Sequence, residues 1–167
     1  MNLPSGNMQK QGLILKENNF KNLLVGLIEE KFSGYVALLI EGFDGLEEAT
    51  LLFKKGFGVA CVFEYLRFDI TVISDLALSH CLNAAGADFG IIDVVQLSEL
   101  QVDMSIAFDE KIKLSTALDR KLLDKFNIGK FDASFAQKTL REAIDLKTPN
   151  ESSKKELFKK FGLGQMN

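Results

Sequence analysis

At 167 residues, with 47% hydrophobic and 26% charged residues, the chain has the makeup of one ordinary globular domain with a short appendage at most. No basic stretch leading into an apolar core opens it, and no apolar run approaches the ~20 residues that span a bilayer, so a cytoplasmic protein without a transmembrane segment is expected. The net charge of −3 is uneven: residues 1–110 carry 7 Lys/Arg against 16 Asp/Glu and residues 111–167 carry 13 against 7, with no aromatic-laced basic stripe of the kind that marks a nucleic-acid reader.

The elements follow in chain order. Residues 1–17 are mostly polar, with one short strand expected at Gly12–Leu15. A helix is expected over Asn19–Lys31, capped by Asn18 or Asn19, because Phe20, Leu23, Leu24, Leu27 and Ile28 fall on one face at helical spacing. Three apolar runs come next, Tyr35–Ile40, Thr50–Phe53 and Val59–Phe63, separated by EGFDG and KKG. Short runs rich in Val, Ile, Phe and Tyr between glycine turns read as an antiparallel meander. Gly56 is the residue of the KKG turn suited to a positive φ angle. The first and third runs are nearly continuous rather than alternating, which predicts that both faces of these strands are covered.

A second helix is expected from Ser74 or Asp75 to about Ala85, striped by Leu78, Cys81, Leu82 and Ala85 and closed by Gly86. Phe89–Val95 reads as a fourth strand. Ser98 with Gln101 matches a capping box, which favours a helix over Glu99–Phe108, although LQVDMSIAF also nearly alternates. Ser115 is the expected cap of a helix to about Phe126, and Asp132 that of another carrying Phe135, Ala136, Leu140, Ala143 and Ile144. The expected division is therefore an N-terminal segment (1–17), an α+β domain (18–113), C-terminal helices packed on it (114–145), and a flexible linker with a short amphipathic tail (146–167). The fold class is α+β, an antiparallel three- to four-stranded meander packed with helices.

Candidate chemistry is sparse. His80, the only histidine, adjoins Cys81, but adjacent helical residues point about 100° apart and do not form a dyad. Cys81 lies on the apolar stripe and His80 off it, so His80 is assigned a surface or packing role. Cys61 and Cys81 both lie in apolar segments, as buried thiols in a reducing compartment do. Two acidic groups, Glu64, Asp69 and Asp75, and Glu41, Asp44, Glu47 and Glu48, flank turns without the spacing of a calcium loop. KKGFG and AAGADFG match neither phosphate-loop pattern, and no G-x-S-x-G elbow is present. The remaining candidate is the tail, where Lys154, Lys155, Leu157, Phe158, Lys159, Lys160 and Phe161 form a basic-apolar segment behind a polar linker. That is the makeup of a partner-docking sequence.

The motifs F-S-G-Y-V-x-L (32–38), L-L-F-K-K-G-x-G-V-A (51–60) and F-E-Y-L-R (63–67), with Gly90–Val95 and K-K-E-L-F-K-K-F-G (154–162), resemble a family of uncharacterised archaeal proteins. More distantly they resemble the bacterial module at the N-terminus of the PatA response regulator. The resemblance covers roughly residues 18–113 plus the tail. It implies a small α+β module without catalysis, attached to signalling or scaffolding proteins, and it carries over no functional residues. The expected function is a non-enzymatic protein–protein interaction or scaffolding module without cofactor or metal, whose partner is another protein or a second copy in a homodimer. The alternative is a small-molecule sensor with a Phe-lined pocket between sheet and helices.

Overall fold

The computed structural model describes residues 3–147, and it makes the three-strand meander the middle of a larger sheet. In chain order the elements are β1 (Asn7–Ile14), α1 (Phe20–Glu29), β2 (Gly34–Glu41), β3 (Leu46–Lys54), β4 (Phe57–Tyr65), β5 (Ile70–Ile73), α2 (Ser74–Ala84), β6 (Gly90–Gln96), α3 (Glu99–Phe108), β7 (Lys113–Leu118), α4 (Arg120–Lys125) and α5 (Ser134–Lys147). All strand pairs are antiparallel, in the order β1-β6-β2-β3-β4-β5. The outer side of β4 is shared, β5 pairing with Val62–Tyr65 and β7 with Gly58 and Ala60. The fold is mixed α and β, and the sheet has seven strands rather than three or four.

Strand β1 is longer than the sequence expectation and two strands are absent from it, each for its own reason. β1 was expected only as a short strand at Gly12–Leu15; it runs over Asn7–Ile14 and is exposed along nearly its whole length on both faces, so no apolar alternation marks its first half. β5 has only four residues. β7 occupies positions expected to be helical from Ser115, where Leu118, Leu122 and Leu123 share a helical spacing. Its first half is claimed by the start of α2 instead: the Ser74 hydroxyl donates to the Lys113 carbonyl (2.6 Å), and the Ser115 N–H donates to Asp75 (3.1 Å). The helix that follows begins only after Asp119, whose carboxylate accepts from the Leu122 N–H at 2.7 Å.

The two sheet faces are covered differently. On one, Val36, Leu38, Leu51, Cys61, Phe63, Ile92 and Val94 lie in register across β2, β3, β4 and β6, and α2 packs over β2–β4. On the other, Leu52, Ala60, Val62 and Val95 pack with Leu97, Val102 of α3 and Ile112. Ala49–Phe53 and Ala60–Phe63 are consequently buried at every position, which gives the third run, apart from half-buried Val59, the two-sided burial expected of it. β2 departs from it: Val36, Leu38 and Ile40 are buried, while Tyr35, Ala37 and Leu39 are half-buried, because α3 covers only part of the second face.

Local signals hold where they are short-range. Asn19 caps α1 through the Asn22 N–H. Lys55 and Gly56 turn β3 into β4 with φ angles of 51° and 81°, the two positive values of a type I′ hairpin. The Gly56 N–H donates to the Phe32 carbonyl (2.8 Å), which ties that hairpin to the end of α1. Gly86 differs from its expected role as a left-handed helix terminator: a side chain there would overlap the Gly129 carbonyl oxygen, so closeness of the 129–131 loop requires it.

Residues 3–133 belong to one compact unit. α5, which begins two residues after Asp132, belongs to a second unit starting at Ser134. Most of the expected linker and the whole of the amphipathic tail lie outside the described residues.

Candidate functional site

α3 is built by its first turn. The Ser98 hydroxyl accepts from the Gln101 N–H while the Gln101 side-chain oxygen accepts from the Ser98 N–H at 2.9 Å, a complete capping box. The Gln101 amide also donates to the Ser5 carbonyl (3.1 Å), holding residues 3–5 beside the helix. Lys54 of β3 reaches Asp103 at 2.6 Å and Lys55 reaches Glu99 at 3.1 Å. These contacts, with Val102 and Ile106 packed on the sheet, set the rotation of α3 about its axis.

That rotation leaves an apolar stripe outside. Leu100, Met104 and Phe108, spaced by four, are 68%, 50% and 84% exposed. Apolar residues thus occupy both sides of the helix, which explains why LQVDMSIAF nearly alternates in sequence. Met104 and Phe108 also flank a cleft of about 630 Å³ between α3, residues 3–4 and strands β4 and β5. Its floor is Val62, Ile73 and Ile112, and its polar groups include Glu64, Thr71 and Asp109. Phe108 is the single phenylalanine among the described lining residues, so the cleft is aliphatic rather than Phe-lined.

Carboxylates gather on the adjoining sheet surface. Glu48 of β3 lies directly opposite Glu64 of β4. Burial raises the Glu48 carboxyl above the usual carboxylate range, and the charge of Glu64 raises it further. Tyr35, on the same face, is raised by burial and then by the charges of Asp93 and Glu48.

Of the acids singled out from sequence, the fold brings Glu48 and Glu64 together and gives several others separate partners. Asp44 pairs with Arg67, Asp75 accepts from the Ser115 N–H, and Glu47 is buried, accepting from the Phe43 N–H at 2.9 Å. Among the described residues no group of three or more His, Cys, Asp or Glu is placed to hold a metal ion. Cys61 and Cys81 are free, buried thiols, and burial followed by the neighbouring Cys81 pushes Cys61 well up. Lys154, Lys155, Leu157, Phe158, Lys159, Lys160 and Phe161 lie outside the described residues.

His80 does not sit on the surface. It is 3% exposed, its Nδ1 lies 2.8 Å from the Tyr65 hydroxyl, and its ring packs against Phe63 and Tyr65 at centroid distances of 5.3 and 5.9 Å. Of the two roles read from sequence, packing is the one it has. Burial lowers its pKa to about 4 from the ordinary 6.5. Between those values the unfolded chain binds a proton that the folded chain refuses, so stability is full above about pH 6.5 and falls as the pH drops toward 4. Glu47 and Glu48, raised by burial, act in the opposite sense. Comparison with His80→Gln isolates the histidine: urea titrations at pH 7 and pH 4.5 should show the wild type losing about 2 kcal/mol more than the variant. Equal losses would contradict the assignment.

Compared with known families, residues 1–109 match the family model described as an uncharacterized protein conserved in archaea (DUF2226). The chain belongs to that family. No curated protein and no solved structure matches it. The family segment ends at Asp109, immediately after α3, and contains every cleft-lining residue except Ile112. β7, α4 and α5 lie beyond it. Sequence reading missed the cleft because its walls come from residues 3–4, β4–β5 and α3. The only signal for it was the pair of apolar faces on α3.

Proposed function

We propose that this protein is a non-enzymatic protein–protein interaction module whose working surface is the α3 stripe and the cleft beside it. The observation that carries this reading is the exposure of Leu100, Met104 and Phe108 along a helix fixed in rotation by its capping box and by Lys54 and Lys55. A contiguous apolar strip beside an apolar cleft is the usual form of a helix- or peptide-binding surface. The resemblance to the PatA-type module supports the same reading, with attachment to signalling or scaffolding proteins. Two buried free thiols accord with a cytoplasmic location. No helix among the described residues is long and apolar enough to cross a membrane.

The test is affinity capture from the source organism with the full chain as bait, run beside a Met104→Asp, Phe108→Ser double variant. Both positions are exposed, so the variant should fold with an unchanged urea midpoint. Its recovery of the partner should fall at least tenfold, as expected when central anchors of an interface are removed. Equal recovery by the two baits would sink the reading.

A second reading, a small-molecule binder, rests on the cleft volume of about 630 Å³, within the range of ligand sites. A thermal-shift screen against nucleotides and metabolites tests it. A shift abolished by the same double variant would support it.

A further inference from the structure

We infer that the occupant of the α3 cleft is a cationic amphipathic helix of a partner protein, an inference that rests on the interaction reading above. Three features of the surface argue for it.

The first is shape. Leu100, Met104 and Phe108 extend over nine residues of α3, eight steps of 1.5 Å or about 12 Å. An extended strand would pair along a sheet edge, and the edge strand at the cleft, β5, has only four residues, whereas the floor itself is a sheet face of Val62 and Ile73. A helix laid along α3 places apolar side chains at i, i+3 or i+4, and i+7 against this stripe and into the cleft.

The second is charge. The described lining of the cleft contains two carboxylates, Glu64 and Asp109, and no Lys, Arg or His. Glu48 adds a third acid directly across from Glu64. Of the neighbouring lysines, Lys54 and Lys55 are engaged with Asp103 and Glu99 on the side of α3 that faces β3, and Lys111, beside the lining Ile112, meets Asp109 through its backbone N–H at 3.2 Å, leaving the acids of the cleft in the majority. A helix with lysines or arginines flanking its apolar stripe therefore meets complementary charge at the cleft.

The third feature bears on the alternatives. A second copy docking cleft to cleft about a two-fold axis would set Glu64 and Asp109 against the same acids, which disfavours this face as a homodimer seam. An anionic lipid surface would meet the same repulsion.

The inference is tested on the full chain with three fluorescein-labelled 18-residue synthetic peptides sharing leucines at helical spacing, the intervening residues being all lysine, all glutamine or all glutamate. Fluorescence anisotropy should rank binding lysine above glutamine above glutamate, with at least tenfold between the extremes. Asp109→Asn together with Glu64→Gln should weaken the lysine peptide about fivefold and leave the glutamine peptide unchanged. Met104→Asp supplies the decisive control. It adds negative charge, so diffuse attraction of a lysine peptide to an acidic protein would strengthen, whereas docking in the cleft weakens at least tenfold. No binding of the lysine peptide, equal binding of all three, or strengthening by Met104→Asp would overturn the inference. The interaction reading is judged separately, because a native partner lost with the Met104 and Phe108 variant would stand even if its helix proved neutral or acidic.

Discussion

Replacing Phe53 with alanine is expected to lower the unfolding free energy by about 4 kcal/mol, among the largest effects of any single truncation in this chain. Phe53 is fully buried near the end of β3, in the middle of the sheet, and its ring meets Phe32 edge-on at a centroid distance of 6.2 Å. Its register partners on both neighbouring strands are glycines, Gly34 of β2 and Gly58 of β4. Neither brings a side chain that can move into the space the phenyl leaves. The cavity should therefore stay open, placing the loss in the upper part of the range for Phe→Ala. Phe53→Leu, which fills most of the volume, should recover more than half of the loss. Urea unfolding of the three proteins measures this, and a loss below about 2 kcal/mol for Phe53→Ala would show that the core collapses around the site.

Gly56→Ala should cost about 3 kcal/mol, combining backbone strain with a steric conflict. The φ angle of 81° lies outside the comfortable range of an alanine, and the added methyl would overlap the Ile28 carbonyl oxygen at the end of α1. A backbone carbonyl cannot rotate aside as a side chain can, so either the hairpin or α1 has to move. The same turn contains its control. Lys55 already holds a φ of 51° with a full side chain, and its amide is satisfied by the Ser33 hydroxyl at 2.9 Å. Lys55→Ala should therefore remain within about 0.5 kcal/mol of wild type, since its ion pair with Glu99 is exposed. Thermal unfolding distinguishes the two positions. Similar melting temperatures for both alanine variants would refute the close-approach argument.

What was legible in the sequence follows the range of the interaction that specifies it. Asn19 and the Ser98–Gln101 box act over three residues, and both helix starts are where those residues place them. The Lys55–Gly56 hairpin needs only adjacent backbone angles, and it too is found. β7 shows the opposite case. Its helical leucine spacing was real, but Ser74, Asp75 and the unpaired side of β4 offered its backbone partners 39 and more residues away. Asp119 then displaced the start of the helix to Arg120. The choice between the two roles left open for His80, surface or packing, was settled in a similar way. It lies off the apolar stripe of its own helix, and Tyr65, fifteen residues away, supplies a hydroxyl for its Nδ1, which lets the imidazole be buried.

The candidate site lies almost entirely on the illegible side. Its stripe could be counted along α3, but which of that helix's two apolar faces would be inward depended on Lys54, Lys55 and the sheet beneath. Sequence by itself determined the apolar runs, the caps, the turn and the membership of an archaeal family, because each of these is encoded in neighbouring residues. Only the tertiary structure decided the seven-strand order, the burial of His80 and the cleft. These depend on which distant backbone and side-chain groups satisfy one another, and nothing local in the chain carries that choice.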